Sequence, residues 1–90
     1  GGTMNVRTFL DDAGELRLRL GNARAETVVR IGDNAPIAVK PGKNASVTVK
    51  LPANEKLTTV TFKTTDGEPA VGAVTGLDVR EPDGPWQSIL

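Results

Sequence analysis

Histidine and cysteine are both absent from this 90-residue chain. Their absence removes the usual general base, the commonest metal ligand and the thiolate nucleophile. A hydroxyl nucleophile would have to be Ser46, Ser88 or a threonine activated by a lysine or a carboxylate, and no local spacing sets up such a pair. Glycoside hydrolysis by paired carboxylates would need acids that only the fold could bring together. With aromatic residues at 3% of so short a chain, there is little material for a substrate cleft. The expectation is a domain that is not by itself an enzyme, though a parent protein could be one, with no catalytic residue to assign.

Metal chemistry has two sequence candidates. Asp11, Asp12 and Glu15 cluster, and Asp66 and Glu68 flank Gly67, so carboxylate oxygens for a calcium ion could meet at one end of a fold. Neither cluster has the regular loop spacing of a calcium motif. The plainer reading is that these acids make turns and stay in water, so no metal and no cofactor is expected.

Binding is the remaining class, and here the placement of charge says more than its sum. Lys plus Arg and Asp plus Glu number 11 each, which argues against nucleic acid or an anionic membrane as an obligatory partner. Arg17, Arg19, Arg30, Lys40, Lys50, Lys63 and Arg80 nevertheless fall at positions that alternate away from apolar neighbours, while most acids lie in turns. One sheet face could be locally positive and dock an acidic partner or an anionic polymer, with Arg17, Arg19 and Arg30 as the patch. The competing reading is a solvated face whose charges keep strand edges unpaired.

Trp86, the lone tryptophan, could serve as a platform for a sugar ring or an anchor in a partner's pocket, or it could fold back to cap a small core. The binding candidates are thus Arg17, Arg19, Arg30 and Trp86. Nucleic acid is not expected, because stacking aromatics are nearly missing. Asn44-Ala45-Ser46 matches a glycosylation acceptor and falls in an expected turn.

The elements that must position these residues are short strands. Leu16, Leu18 and Leu20 alternate with Arg17 and Arg19, the clearest period of two in the chain. Val29 and Ile31, then Ile37 and Val39, then Val47, Val49 and Leu51, repeat that alternation and form the expected core. Pro36 at a strand start suits a sheet edge, since proline cannot donate to the ladder. Pro41-Gly42-Lys43-Asn44 reads as a type II turn, and Gly21-Asn22, Gly32-Asp33-Asn34 and the cluster from Thr65 to Pro69 as further breaks.

Val60 and Phe62 share one phase and Leu57 the other. Gly72 and Gly76 interrupt the run from Val71 to Val79, so two short strands or one bulged strand are expected there. No stretch keeps a helical period. The pattern predicts an all-β chain, an antiparallel β-sandwich of seven or eight short strands. Residues 1–4 read as an extraneous or disordered start, 5–81 as the sandwich and 82–90 as a tail.

The segment LRLRLGNARAETVVRIGDNAPIAVKPGKNASVTVKLP, residues 16–52, resembles the immunoglobulin-like β-sandwiches appended to bacterial secreted and envelope proteins. Gly21-Asn22, the run from Ala25 to Ile31, Pro41-Gly42 and the run from Ser46 to Val49 carry the likeness. The second half, with Phe62-Lys63 ahead of Asp66-Gly67 and the run from Val71 to Arg80, is similar to carbohydrate-binding jelly rolls.

The resemblance implies a non-catalytic accessory module in the cell envelope or outside the cell, docking or supporting a larger assembly. Its partner would be another protein domain or an envelope polymer. A glycan-binding module and a structural subunit that self-associates through strand edges are the alternatives. No apolar run reaches the roughly 20 residues of a membrane helix, so no transmembrane segment is expected.

Overall fold

In the computed structural model, residues 2–8, 10–23, 26–40, 42–53, 57–64 and 73–90 are described. Among them the chain forms strands and no helix: β1 (Gly2–Arg7), β2 (Gly14–Ala23), β3 (Thr27–Ile31), β4 (Ile37–Val39), β5 (Gly42–Leu51), β6 (Leu57–Thr64), β7 (Ala73–Arg80) and β8 (Gln87–Ser88). Two antiparallel four-stranded sheets result, ordered β1-β6-β3-β4 and β5-β2-β7-β8. This is a β-sandwich, in which the alternation of each strand sends one set of side chains to a shared interior.

Leu16, Leu18 and Leu20 on β2 are buried, and their cross-strand partners Val49, Val47 and Ala45 on β5 and Val79, Leu77 and Val74 on β7 line the same face. Val29, Ile31, Val39 and Val60 supply the facing layer, with Val6 and Leu10 closing one side. Every aliphatic residue expected in the core is buried except Ile37, which is partly buried and packs against it. Thr8, Thr27 and Thr58 are also buried. Thr58 sits two residues before the buried Val60, so pleat phase carries it inward, while the neighbouring Leu57 is turned out at 58% exposure.

Two expected breaks are strand instead. Gly21 and Asn22 lie inside β2, and Gly42 to Asn44 begin β5; Gly21 pairs with Asn44 and Ala23 with Gly42. The β2–β5 ladder runs past these turn-prone residues because strand pairing outweighs weak local propensity. Pro41 lies outside the described residues, as do Ala25, Val71, Gly72 and the cluster from Thr65 to Pro69. β1 begins at Gly2, ahead of Asn5, and the segment 82–90 contributes β8 and the core-packed Ile89.

β7 is a single strand over its described length, with a register shift. Arg19 faces Gly76 but Leu20 faces Val74, which leaves Thr75 as the extra residue of a bulge. The bulge reverses the alternation, so Val74 packs on the core together with Leu77 and Val79. A strict odd-position reading of this run misses Val74.

Candidate functional site: the outer face of the β5-β2-β7-β8 sheet

Side chains that point away from the core on β2 are Glu15, Arg17 and Arg19. Opposite them on β7 lie Arg80, Asp78 and Gly76, and on β5 Lys50, Thr48 and Ser46. This grid follows from the leucine alternation: fixing the leucines inward fixes every odd residue of β2 outward. Charges of opposite sign then meet directly across the β2–β7 ladder.

The Arg17 guanidinium donates from Nε and Nη2 to Asp78 Oδ2 at 3.1 and 3.0 Å, and Arg19 Nη2 approaches the same oxygen at 3.1 Å. Arg80 donates from Nε and Nη2 to Glu15 Oε1 at 2.8 and 2.6 Å. Charge-assisted bonds of this length are the stronger kind. The Asp78 side chain is only 6% exposed, whereas Arg17 keeps 29% and Arg19 51% of its surface in water. Two arginines share one covered carboxylate, so positive charge remains at the surface there, and Lys50 adds to it.

Gly76 makes the shared contact possible. A Cβ at that position would meet Arg19 at Nε, Cζ and Nη2, because the guanidinium lies across the glycine on its way to Asp78. A shallow cleft of about 330 Å³ opens beside it, lined by Arg19, Leu20, Asn44, Ala45, Ser46 and Thr75.

Trp86 completes the face. The chain leaves β7 through Glu81-Pro82-Asp83-Gly84, where Gly84 N–H donates to the Glu81 carbonyl at 3.0 Å and Asp83 takes a φ of 59°. Proline second and a positive φ third is the type II pattern. This reversal returns the chain antiparallel to β7 and lays Trp86 over the sheet. The guanidinium carbons of Arg17 and Arg80 stand 4.3 and 4.5 Å from its ring centroid. At those distances the ring quadrupole attracts both cations. Trp86 therefore does not cap the core: it is half-buried on the outer face, and Ile89 is the tail residue packed against the interior.

Comparison with protein-family models, curated proteins and solved structures finds no match.

Of the residues singled out in the sequence, Arg17, Arg19 and Trp86 converge. Arg30 does not join them, because it is exposed on β3 in the opposite sheet, paired with Thr61 of β6. The expected three-arginine patch is thus split between two outer faces. Asp78, Glu15 and Arg80 belong to the site and were not singled out for it. The available signal was register: once Arg17 and Arg19 face out beside an antiparallel strand carrying Asp78 and Arg80 at period two, ion pairing across the ladder follows.

Among the described residues no group of three His, Cys, Asp or Glu side chains gathers, and Glu15 is turned to Arg80 rather than toward Asp11 and Asp12. Asp66 and Glu68 lie outside the described residues. No described helix is long and apolar enough to cross a membrane.

Proposed function

We propose that this chain is a non-catalytic accessory β-sandwich that docks an acidic protein surface through the outer face of the β5-β2-β7-β8 sheet. The observation that carries the reading is the pairing of an aromatic ring with surplus cations. Trp86 is fixed over the sheet by Arg17 and Arg80, beside the half-exposed Arg19 and the exposed Lys50. Tryptophan and arginine are among the residues enriched at the energetic centres of protein interfaces. The cations around Trp86 favour a partner of opposite sign. Both carboxylates of this face are held by arginines, which suits a binding role better than proton transfer.

Strand pairing supports the immunoglobulin-like alternative over the jelly roll. β2 pairs with β5 in one sheet and β3 with β6 in the other, the arrangement of the four central strands in immunoglobulin folds. The flanks depart from that pattern: β1 lies beside β6 and β7 beside β2, where an immunoglobulin domain has its first strand beside the second. A place in the bacterial envelope or outside the cell belongs to the same proposal and rests on the likeness of residues 16–52.

Trp86 fluorescence tests the reading, since no other tryptophan contributes. Titration with polyglutamate at low salt is expected to shift the emission, with the response lost at high salt and in the Arg17→Gln/Arg19→Gln variant. No response to polyglutamate overturns the proposal, and a response to a neutral oligosaccharide instead establishes the glycan-binding alternative.

A further inference from the structure

Four strands lie at the ends of the two sheets: β1, β4, β5 and β8. Natural sheets protect such ends by shortness, proline, charge or bulges. β4 has three residues and follows Pro36, and β8 has two. β5 has ten, pairs in unbroken register with β2, and carries neither charge nor proline from Asn44 to Val49. Among the described residues its second side has no neighbouring strand.

The direction of its free backbone groups can be worked out. Ile89 N–H donates to the Leu77 carbonyl, so the odd residues of β7 bond toward β8 and the even ones toward β2. In an antiparallel ladder the two groups of one residue point the same way, and successive residues alternate. Glu15 and Arg17, opposite Arg80 and Asp78, therefore bond toward β7, and Leu16 and Leu18 bond toward β5. The N–H and C=O of Gly42, Asn44, Ser46, Thr48 and Lys50 are left facing outward.

An independent contact agrees. Asn34, in the turn between β3 and β4, donates from Nδ2 to the Lys50 carbonyl at 3.1 Å and to the Ile31 carbonyl at 3.2 Å. Asn34 closes the edge at Lys50, and within the stretch from Asn44 to Val49 that carries neither charge nor proline, Asn44, Ser46 and Thr48 stay open among the described residues.

We propose that the β5 edge is a homodimer interface, in which Asn44, Ser46 and Thr48 pair antiparallel with the same residues of a second copy about a two-fold axis at Ser46. The three open residues of that uncharged stretch are symmetric about Ser46, so Ser46 meets its own counterpart and Asn44 meets Thr48 of the second copy. Each facing pair exchanges two backbone hydrogen bonds. Ala45 then stands opposite Val47 of the second copy, a small residue against a larger one at the closely spaced positions of the ladder. A foreign strand long enough to use all of β5 would run into Asn34. In the two-fold pairing the second copy reaches Lys50 only with Gly42, the first residue of its β5, and the closed symmetry ends growth at two copies.

Sedimentation equilibrium of the whole chain between about 10 μM and 1 mM is expected to show the weight-average mass rising from monomer toward dimer, the range appropriate to a small edge contact. Cysteine placement tests the register in a chain that has none of its own. Facing Cα atoms at a hydrogen-bonded pair lie about 5.5 Å apart, within disulfide reach. Ser46→Cys is expected to cross-link to itself under mild oxidation faster than Thr48→Cys, and far faster than Thr59→Cys on the opposite sheet. Ser46→Pro removes an outward N–H without touching the β2 ladder and is expected to abolish the mass increase with an unchanged circular dichroism spectrum. A mass that stays monomeric throughout, or Thr48→Cys or Thr59→Cys cross-linking as fast as Ser46→Cys, overturns the proposal. Neither result depends on the polyglutamate response.

Discussion

Asp78 is the residue on which the candidate face turns. Its carboxylate is covered, takes bonds from Arg17 and Arg19, and holds both guanidiniums flat on the sheet where Trp86 and Gly76 receive them. Replacing one partner of a covered charge pair leaves the other to find water, and here both arginines are exposed enough to do so. Asp78→Asn is therefore expected to lower stability by about 1–3 kcal/mol rather than unfold the protein, measured as a lower urea midpoint with an unchanged slope. The same variant frees Arg17 from its carboxylate and is expected to strengthen the polyglutamate response. Asp78 was hard to find from sequence because a single acid inside an apolar run looks like noise. Its meaning comes from two arginines 61 and 59 positions away, and only register brings them together.

Two glycines show how the same substitution separates element from surface. A Cβ on Gly14 would strike the Arg80 backbone carbonyl and stand 2.8 Å from Leu10 Cδ1, where β2 begins against β7. A Cβ on Gly76 meets only the mobile end of Arg19. Gly14→Ala is expected to cost about 1–3 kcal/mol, the range for overpacking against backbone that cannot yield. Gly76→Ala should change stability by less than about 1 kcal/mol while displacing Arg19 from Asp78, because Arg19 is half in water and Asp78 keeps its two bonds from Arg17. Urea denaturation of the two variants side by side checks the contrast.

At this scale the sequence is legible where one face is apolar and the other charged: the Leu16–Leu20 alternation, the inward valines of β5 and the edge position of β4 after Pro36 all follow from it. It is less legible where small polar residues continue a ladder. Gly21, Asn22 and Asn44 are turn-prone residue types but sit in the longest pairing among the described residues, held there by partners distant in sequence. The bulge at Thr75 was foreshadowed by Gly76, but which residue it would turn inward was not.

Across the whole molecule the two sheets differ in their outer faces. The β5-β2-β7-β8 sheet carries the ion pairs, the surplus cations and Trp86; the β1-β6-β3-β4 sheet carries Asn5 bonded from Thr59 at 3.0 Å, the exposed Arg30 and the exposed Leu57. Sequence alternation correctly turned arginines outward but could not assign them to sheets, since β2 and β3 are consecutive strands that part company only in the tertiary fold. The proposed docking is therefore confined to one face. Amide and indole chemical shifts recorded during titration with polyglutamate test that claim most directly. It predicts changes at the Trp86 indole N–H and at Arg17, Arg19, Thr48, Lys50 and Arg80. Changes centred on Arg30 and Thr61, or no changes beyond those caused by salt, would contradict it.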